Sequence, residues 1–153
     1  MKTETIIRSA CADDSDAVYR LLRIIADVHK TGRPDIFEGL VSKYTHEEVK
    51  SRLSCSESGV FVAETNGDVS GYIFCEIRNE GKGKTLYIDD LCVDPEFRRR
   101  GIATALMNHA RHYAKENECR MLMLNVWEFN ESALDFYESI GFTTRSRHLE
   151  LNI

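Results

Sequence analysis

The sequence predicts a mixed α/β domain, and three observations carry that expectation. Strand-like segments meander in the first half of the chain around an Asn66-Gly67-Asp68 turn, and in the second half they alternate with helical segments. The 153 residues are 42% hydrophobic, enough to close one core around a sheet, with no Pro-, Gly- or Ser-rich linker to divide it, so 1–153 reads as a single domain.

The elements follow in order. Ile6-Ile7-Arg8 reads as a short strand. Asp13 to Lys30 reads as an amphipathic helix, because Val18, Leu21, Leu22, Ile25 and Val28 recur on one face behind Asp and Ser caps. His29 to Pro34 ends it in a loop, since Gly32 and Pro34 do not continue a helix. Thr45-His46-Glu47-Glu48 has the capping-box spacing, which predicts a second helix to Leu53. Gly59 to Thr65 and Val69 to Arg78 are rich in β-branched and aromatic residues and should form a hairpin. Thr85 to Val93 is a further strand, stopped by Asp94-Pro95. Gly101 to Glu116 is helical, Arg120 to Trp127 a strand, Glu131 to Ile140 a helix stopped by Gly141, and Phe142 to Ile153 a last strand with Leu149, Leu151 and Ile153 alternating.

Composition removes several function classes. Twenty basic against twenty-five acidic residues leave a net charge of -5, a field that repels a nucleic-acid backbone. Apolar runs fall short of the roughly 20 residues a membrane span requires, and the segment from Met1 lacks the apolar middle of a signal peptide, so a cytoplasmic protein is expected. Cys11, Cys55, Cys75, Cys92 and Cys119 are scattered, which argues for reduced thiols and against a disulfide framework or a metal site. His109 and His112 share a helix face without a visible third ligand.

The most informative segment is Leu91-Cys92-Val93-Asp94-Pro95-Glu96-Phe97-Arg98-Arg99-Arg100-Gly101-Ile102-Ala103-Thr104, where a strand ends, turns and opens into a helix. Unpaired backbone N–H groups and the helix dipole concentrate positive charge at such a helix start. Small residues at Gly101 and Ala103 let a pyrophosphate approach, with Arg98, Arg99 and Arg100 beside it. The Lys-Ser/Thr pair of a nucleotide P-loop is missing, as is a Gly-x-Gly-x-x-Gly turn.

The pattern Arg98-x-x-Gly101-x-Ala103 instead resembles the Arg/Gln-x-x-Gly-x-Gly/Ala signature of the GNAT N-acetyltransferase superfamily. Leu124 to Phe142 is similar to that family's second cofactor motif, a strand followed by Asn130-x-x-Ala133-x-x-Phe136-Tyr137 and Gly141-Phe142. The resemblance implies a mostly antiparallel central sheet of six to seven strands with a splayed, parallel central pair, flanked by about four helices. It implies acetyl-coenzyme A as co-substrate, held by Leu91, Cys92, Val93, the segment Arg98 to Thr104 (Ile102 included), Asn125, Asn130, Ala133, Phe136 and Tyr137, with no metal.

The same resemblance assigns Tyr137 as the acid for the departing thiolate and Asp89 as the base for the amine, with an oxyanion donor among the strand N–H groups near Leu91. A bulge in that strand would leave open whether Asp89 or Asp90 faces the cleft. Cys92 has no His spaced to activate it and reads as a small core residue. The acceptor pocket falls to the segment Val28 to Tyr44, with His29 and Phe37 joined by Asp89 and Glu128. A small cationic amine is the first expectation. A protein N-terminus or lysine, or a non-catalytic acyl-coenzyme A sensor, are the alternatives, and a homodimer is compatible with the family.

Overall fold

The structure, a computed structural model, describes residues 3–55 and 59–153. Met1 and Lys2, from the stretch read for a signal peptide, lie outside the described residues. Five strands, β1 (Thr5–Ser9), β2 (Val60–Thr65), β3 (Asp68–Glu80), β4 (Gly83–Val93) and β5 (Cys119–Leu124), form one sheet in sequential order. The first four pair antiparallel; β4 and β5 are parallel. Among the described residues there are five α-helices: α1 (Ser15–Gly32), α2 (Pro34–Phe37), α3 (His46–Leu53), α4 (Ile102–Glu116) and α5 (Glu131–Ser139). No helix is long and apolar enough to cross a membrane among the described residues.

Local signals account for several boundaries. Thr45 Oγ1 accepts from Glu48 N–H at 3.1 Å while Glu48 Oε2 accepts from Thr45 N–H at 2.8 Å, the reciprocal cap that the spacing predicts for α3. The Asn66-Gly67 turn closes β2 onto β3 through the Thr65–Asp68 pair. Asn130 Oδ1 accepts from Ala133 N–H at 3.3 Å, so the conspicuous Asn of the second motif is the N-cap of α5.

The sheet separates two apolar clusters. On one face Val18, Leu21 and Leu22 of α1 and Val49 and Leu53 of α3 pack on Val60, Val62, Tyr72, Phe74 and Cys92. On the other, Ile102, Leu106, Met107, Ala110 and Ala114 of α4 cover Phe61, Ala63, Ile73, Cys75, Leu86 and Ile88. Each fully buried aliphatic side chain contributes roughly 1.5–3 kcal/mol, so the sheet is held from both faces.

Four expectations need correction. The sheet has five strands, not six or seven. The segment Phe142 to Ile153 forms no strand: Leu149, Leu151 and Ile153 are 91%, 87% and 117% exposed. Alternation favours an extended chain, but a strand exists only where an edge pairs with it. Here Phe142 N–H donates to Tyr137 O at 3.0 Å, and side chains tie the rest of the segment, Arg145 to Glu80 at 3.5 Å and Glu150 to Arg33 at 2.5 Å. The parallel pair therefore lies at the edge of the sheet rather than its centre. The loop expected after His29 also contains α2, a single turn opened by Pro34 at its first position, too short to leave a periodic signal.

Candidate active site

The β4–β5 ladder ends at Ile88 and Leu124, while β4 continues to Val93. Beyond that last pair the two strands diverge, and a cavity of about 200 Å³ opens between them. Its wall takes in Ile25, Ala26 and His29 from α1, Leu40 and Lys43 from the loop before α3, Tyr87 to Leu91, Leu124 to Trp127, and Asn130, Ala133 and Tyr137. Asn125 Nδ2 donates to the Tyr87 hydroxyl at 2.9 Å, a bond across the start of the split.

A bulge decides which carboxylates reach this cavity. Phe74 pairs with Asp90 and Cys75 with Ile88, so Asp89 is a surplus residue opposite the Phe74–Cys75 step. Before the bulge Leu86 and Ile88 face α4; after it Leu91 and Val93 do, and Cys92 faces α1 and α3. The change of phase puts the adjacent residues Asp89 and Asp90 on the same face, that of α1 and α3. The question of which one faces the cleft is answered by both lining it.

Their surroundings differ. Asp89 accepts from Tyr44 Oη and, at 3.0 Å, from Lys43 Nζ, with Arg52 at 3.6 Å. Burial pushes its carboxyl up, but these donors and cations outweigh it and hold it below the usual carboxylate range. Asp89 thus fastens the loop before α3 onto β4. Asp90 accepts from the Tyr72 hydroxyl at 2.9 Å and from Leu91 N–H at 3.0 Å. There burial dominates the opposing pull of Lys43 and Tyr72, and pushes the carboxyl up to about 6. The two carboxylates are separated in acidity by their environments, as acid and base partners in active sites commonly are.

Tyr137 meets them from the opposite face of the sheet, from α5, with its ring against Phe136 and Phe142. Burial, with a smaller push from Asp90, raises its phenol above the usual value, so it stays protonated near neutrality. Cys92 is buried, and burial pushes its thiol up to about 12, which fits the reading of a core residue rather than a nucleophile.

The helix start at α4 is built as a cradle. Asp94 Oδ1 accepts from Glu96 N–H at 3.0 Å and Asp94 Oδ2 from Arg20 Nη2 at 2.7 Å, which fixes the turn against α1. Arg99 and Gly101 then take left-handed backbone, φ 64° and 76°. The first intrahelical bond runs from Ala105 N–H to Gly101 O at 3.0 Å, so the N–H groups of Ile102, Ala103 and Thr104 precede the ladder. A Cβ on Gly101 would meet nothing within 4 Å, so the space beside the helix start is open. Arg98, Arg99 and Arg100 are exposed around it, Arg100 lying over the Phe97 ring at 5.3 Å.

The remaining expected residues divide clearly. His29 lines the cavity and Phe37 stacks on it at 5.1 Å, whereas Glu128 is exposed and outside the lining. Arg33 is bound to Asp35 and Glu150, away from the lining. His112 pairs with Glu116 at 3.0 Å and His109 packs on Phe61, and no group of metal-ligating residues occurs among the described residues. Sequence reading placed Lys43 and Tyr44 within the acceptor segment without naming them as partners of the aspartates, and missed Arg52 and Tyr72, which reach the aspartates from far along the chain and carry no local signal. It also missed Trp127 and Phe129, whose one-residue spacing at a strand end was visible.

An open fork between parallel strands thus lies beside a helix start whose first N–H groups precede the ladder. Residues 25–142 match the acetyltransferase (GNAT) family, and the chain belongs to it. Over 103 residues it is 43% identical to an uncharacterized N-acetyltransferase of Methanocaldococcus jannaschii. That match covers 65% of this chain and 46% of the relative, so it spans about half the relative's length. Among solved structures, a mutant of the BH1408 protein from Bacillus halodurans superposes with TM-score 0.86 at 27% identity, covering 97% of this chain and 99% of that one. The aminoglycoside N-acetyltransferase AAC(6')-Iy in complex with CoA shares the fold, with TM-score 0.74 at 17% identity and 100% and 97% coverage.

Proposed function

We propose that the chain is an acetyl-coenzyme A-dependent N-acetyltransferase that acts on a primary amine by direct attack within a ternary complex. The observation that carries this reading is the convergence of a protonated Tyr137 and a weakly acidic Asp90 on the two walls of one strand fork.

The cradle suits a pyrophosphate: left-handed Arg99 and Gly101, helix-start N–H groups and an unfilled space where a Cβ would sit. The backbone of Leu91, Cys92 and Val93, past the last β4–β5 pair, suits the amide groups of a pantetheine arm. Bound there, acetyl-coenzyme A would supply an activated acetyl thioester. An alkyl amine has a pKa of about 10.4 and arrives protonated, so a base is required. Asp90 takes that proton, directly or through water; the freed amine nitrogen bonds to the acetyl carbon, and the carbon–sulfur bond breaks. Tyr137 gives its proton to the leaving sulfur. As Asp90 becomes neutral its hold on Leu91 N–H weakens, which frees that donor for the carbonyl oxygen where charge develops. Asp89, committed to Lys43, Tyr44 and Arg52, positions the loop rather than moving the proton.

A test is to incubate the protein with acetyl-coenzyme A and a panel of primary amines while following free thiol. Amine-dependent thiol release that Tyr137→Phe suppresses is the expected result. Binding of acetyl-coenzyme A without turnover on any amine would instead favour a sensing module.

A further inference from the structure

Four rings close into a circuit at the outer end of the fork: His29 on Phe37 at 5.1 Å, Phe37 on Trp127 at 5.1 Å, Trp127 on Phe129 at 5.9 Å, and Phe129 on His29 at 6.0 Å. His29 and Trp127 belong to the cavity wall, and Trp127 keeps 39% of its surface exposed. The packing depends on a missing side chain, because a Cβ on Gly32 at the end of α1 would lie 2.2 Å from the Phe129 ring. Only a residue without that atom lets Phe129 seat against the helix and stack on Trp127 of the cavity wall. Burial, with the Lys43 charge behind it, keeps the His29 imidazole below its usual pKa, so the circuit carries no formal charge near neutrality.

The charges inside the cavity are few and mostly committed. Asp89 is balanced by Lys43 and Arg52, which leaves Asp90, bonded to the neutral Tyr72 hydroxyl and Leu91 N–H, as the carboxylate to meet one ammonium group. A polycation would find one partner there and a lysine beside it. A cavity of about 150 Å³ already accepts a benzene ring, so the present 200 Å³ has room for one ring on a short arm.

Building on the acetyltransferase reading, we propose that the acceptor is a monoamine carrying one aromatic group on a short chain, with its ring against Trp127 and His29 and its nitrogen directed at Asp90. Aromatic contacts of this kind are worth about 0.5–1.5 kcal/mol beyond the area they bury, and a cationic nitrogen near the rings adds to that. Trp127 is then a specificity-determining residue.

Trp127 is the one tryptophan of the chain, so its fluorescence reports on this wall directly. Titration with 2-phenylethylamine in the presence of coenzyme A should perturb the emission at concentrations about tenfold or more below those needed with spermidine. In rate measurements Trp127→Ala should raise KM for 2-phenylethylamine about tenfold while kcat stays nearly constant, and Trp127→Phe should recover most of the loss. Equal or tighter binding of spermidine overturns the proposal, as does an unchanged KM in Trp127→Ala. So does sedimentation in which Trp127→Ala turns a dimer into a monomer while amine binding is unaltered, because the ring would then be a subunit contact. Failure of the acetyltransferase reading has a separate signature: Trp127 responds to 2-phenylethylamine, yet no thiol is released with any amine.

Discussion

The Tyr72 hydroxyl donates to Asp90 Oδ2 at 2.9 Å from beneath the strand fork, and Tyr72 is itself fully buried. That bond favours the ionised carboxylate, while burial opposes it. Asp90 is accordingly expected to set the acidic limb of the rate profile: kcat/KM rises through about pH 6 as the carboxyl becomes available to accept a proton. Asp90→Asn should remove that limb and cost about a hundredfold or more in rate. Tyr72→Phe should move the limb to higher pH, since a donor to the charged form is lost. Rate profiles of the three proteins on one amine, compared at each pH, check this.

Tyr137→Phe keeps the ring and its contacts with Phe136 and Phe142 while removing the proton. Acetyl-coenzyme A affinity by calorimetry should be nearly unchanged and kcat should fall about a hundredfold. A rate close to that of the parent, with chemistry limiting, would return Tyr137 to packing alone.

Gly101 has φ 76°, where a residue with a Cβ pays roughly 1–2 kcal/mol. Gly101→Val should therefore lower the melting temperature modestly and also obstruct the cradle, weakening acetyl-coenzyme A binding by about tenfold or more. Gly39→Ala shares the strain at φ 80° but lies outside the cradle, so its cofactor affinity should stay at the parent value in calorimetry.

Asp89→Asn weakens the fastening of Lys43 and Tyr44 and keeps the hydrogen bonds of Asp90, while removing the neighbouring negative charge that helps to raise the Asp90 pKa. Amide hydrogen exchange in residues 38–45 should quicken, and KM for the amine should rise more than kcat falls. A fall in kcat alone, with exchange unchanged, would point to a direct proton-transfer role for Asp89.

Arg8 bridges the largely buried Asp14 at 2.8 Å and Glu64 at 2.9 Å, joining β1, β2 and the turn before α1. Asp14→Ala should destabilise by on the order of 2 kcal/mol, less than breaking a wholly buried pair because Arg8 is one-third exposed. The hydrogen bonds from Arg8 depress the Asp14 pKa, so this contribution is present above the unfolded value of about 3.9 and vanishes as pH falls through the lower folded value. Urea unfolding of both proteins at pH 7 and pH 3 should show the difference shrinking on acidification.

The features legible in the sequence are those whose cause is local. Thr45 with Glu48 and Asn66 with Gly67 lie within three residues of each other, and the cap and the turn they predict form where expected, whereas Asn130, expected as a cofactor-motif residue, caps α5 through Ala133 N–H. The motif around Gly101 carries its own backbone geometry. What escaped depends on partners remote in the chain: Asp89 meets Tyr44 and Lys43 at separations of 45 and 46 residues. The alternation of Leu149, Leu151 and Ile153 was real, but period two does not state whether an edge is there to receive it. The extra residue in β4 left no mark in composition, so the facing of the two aspartates was open until the ladder could be counted.

That extra residue makes β4 one position longer than its register with β3 requires. Excising Asp89 would let Ile88 and Asp90 follow each other opposite Cys75 and Phe74 in an unbroken ladder, and every other side chain of the strand would keep its present neighbours. Asp89 is thus the one position of β4 that can be subtracted rather than substituted. Whether a chain acquires or loses the second acid of this fork is a matter of a single codon inserted or deleted, with the reading of the remaining strand intact.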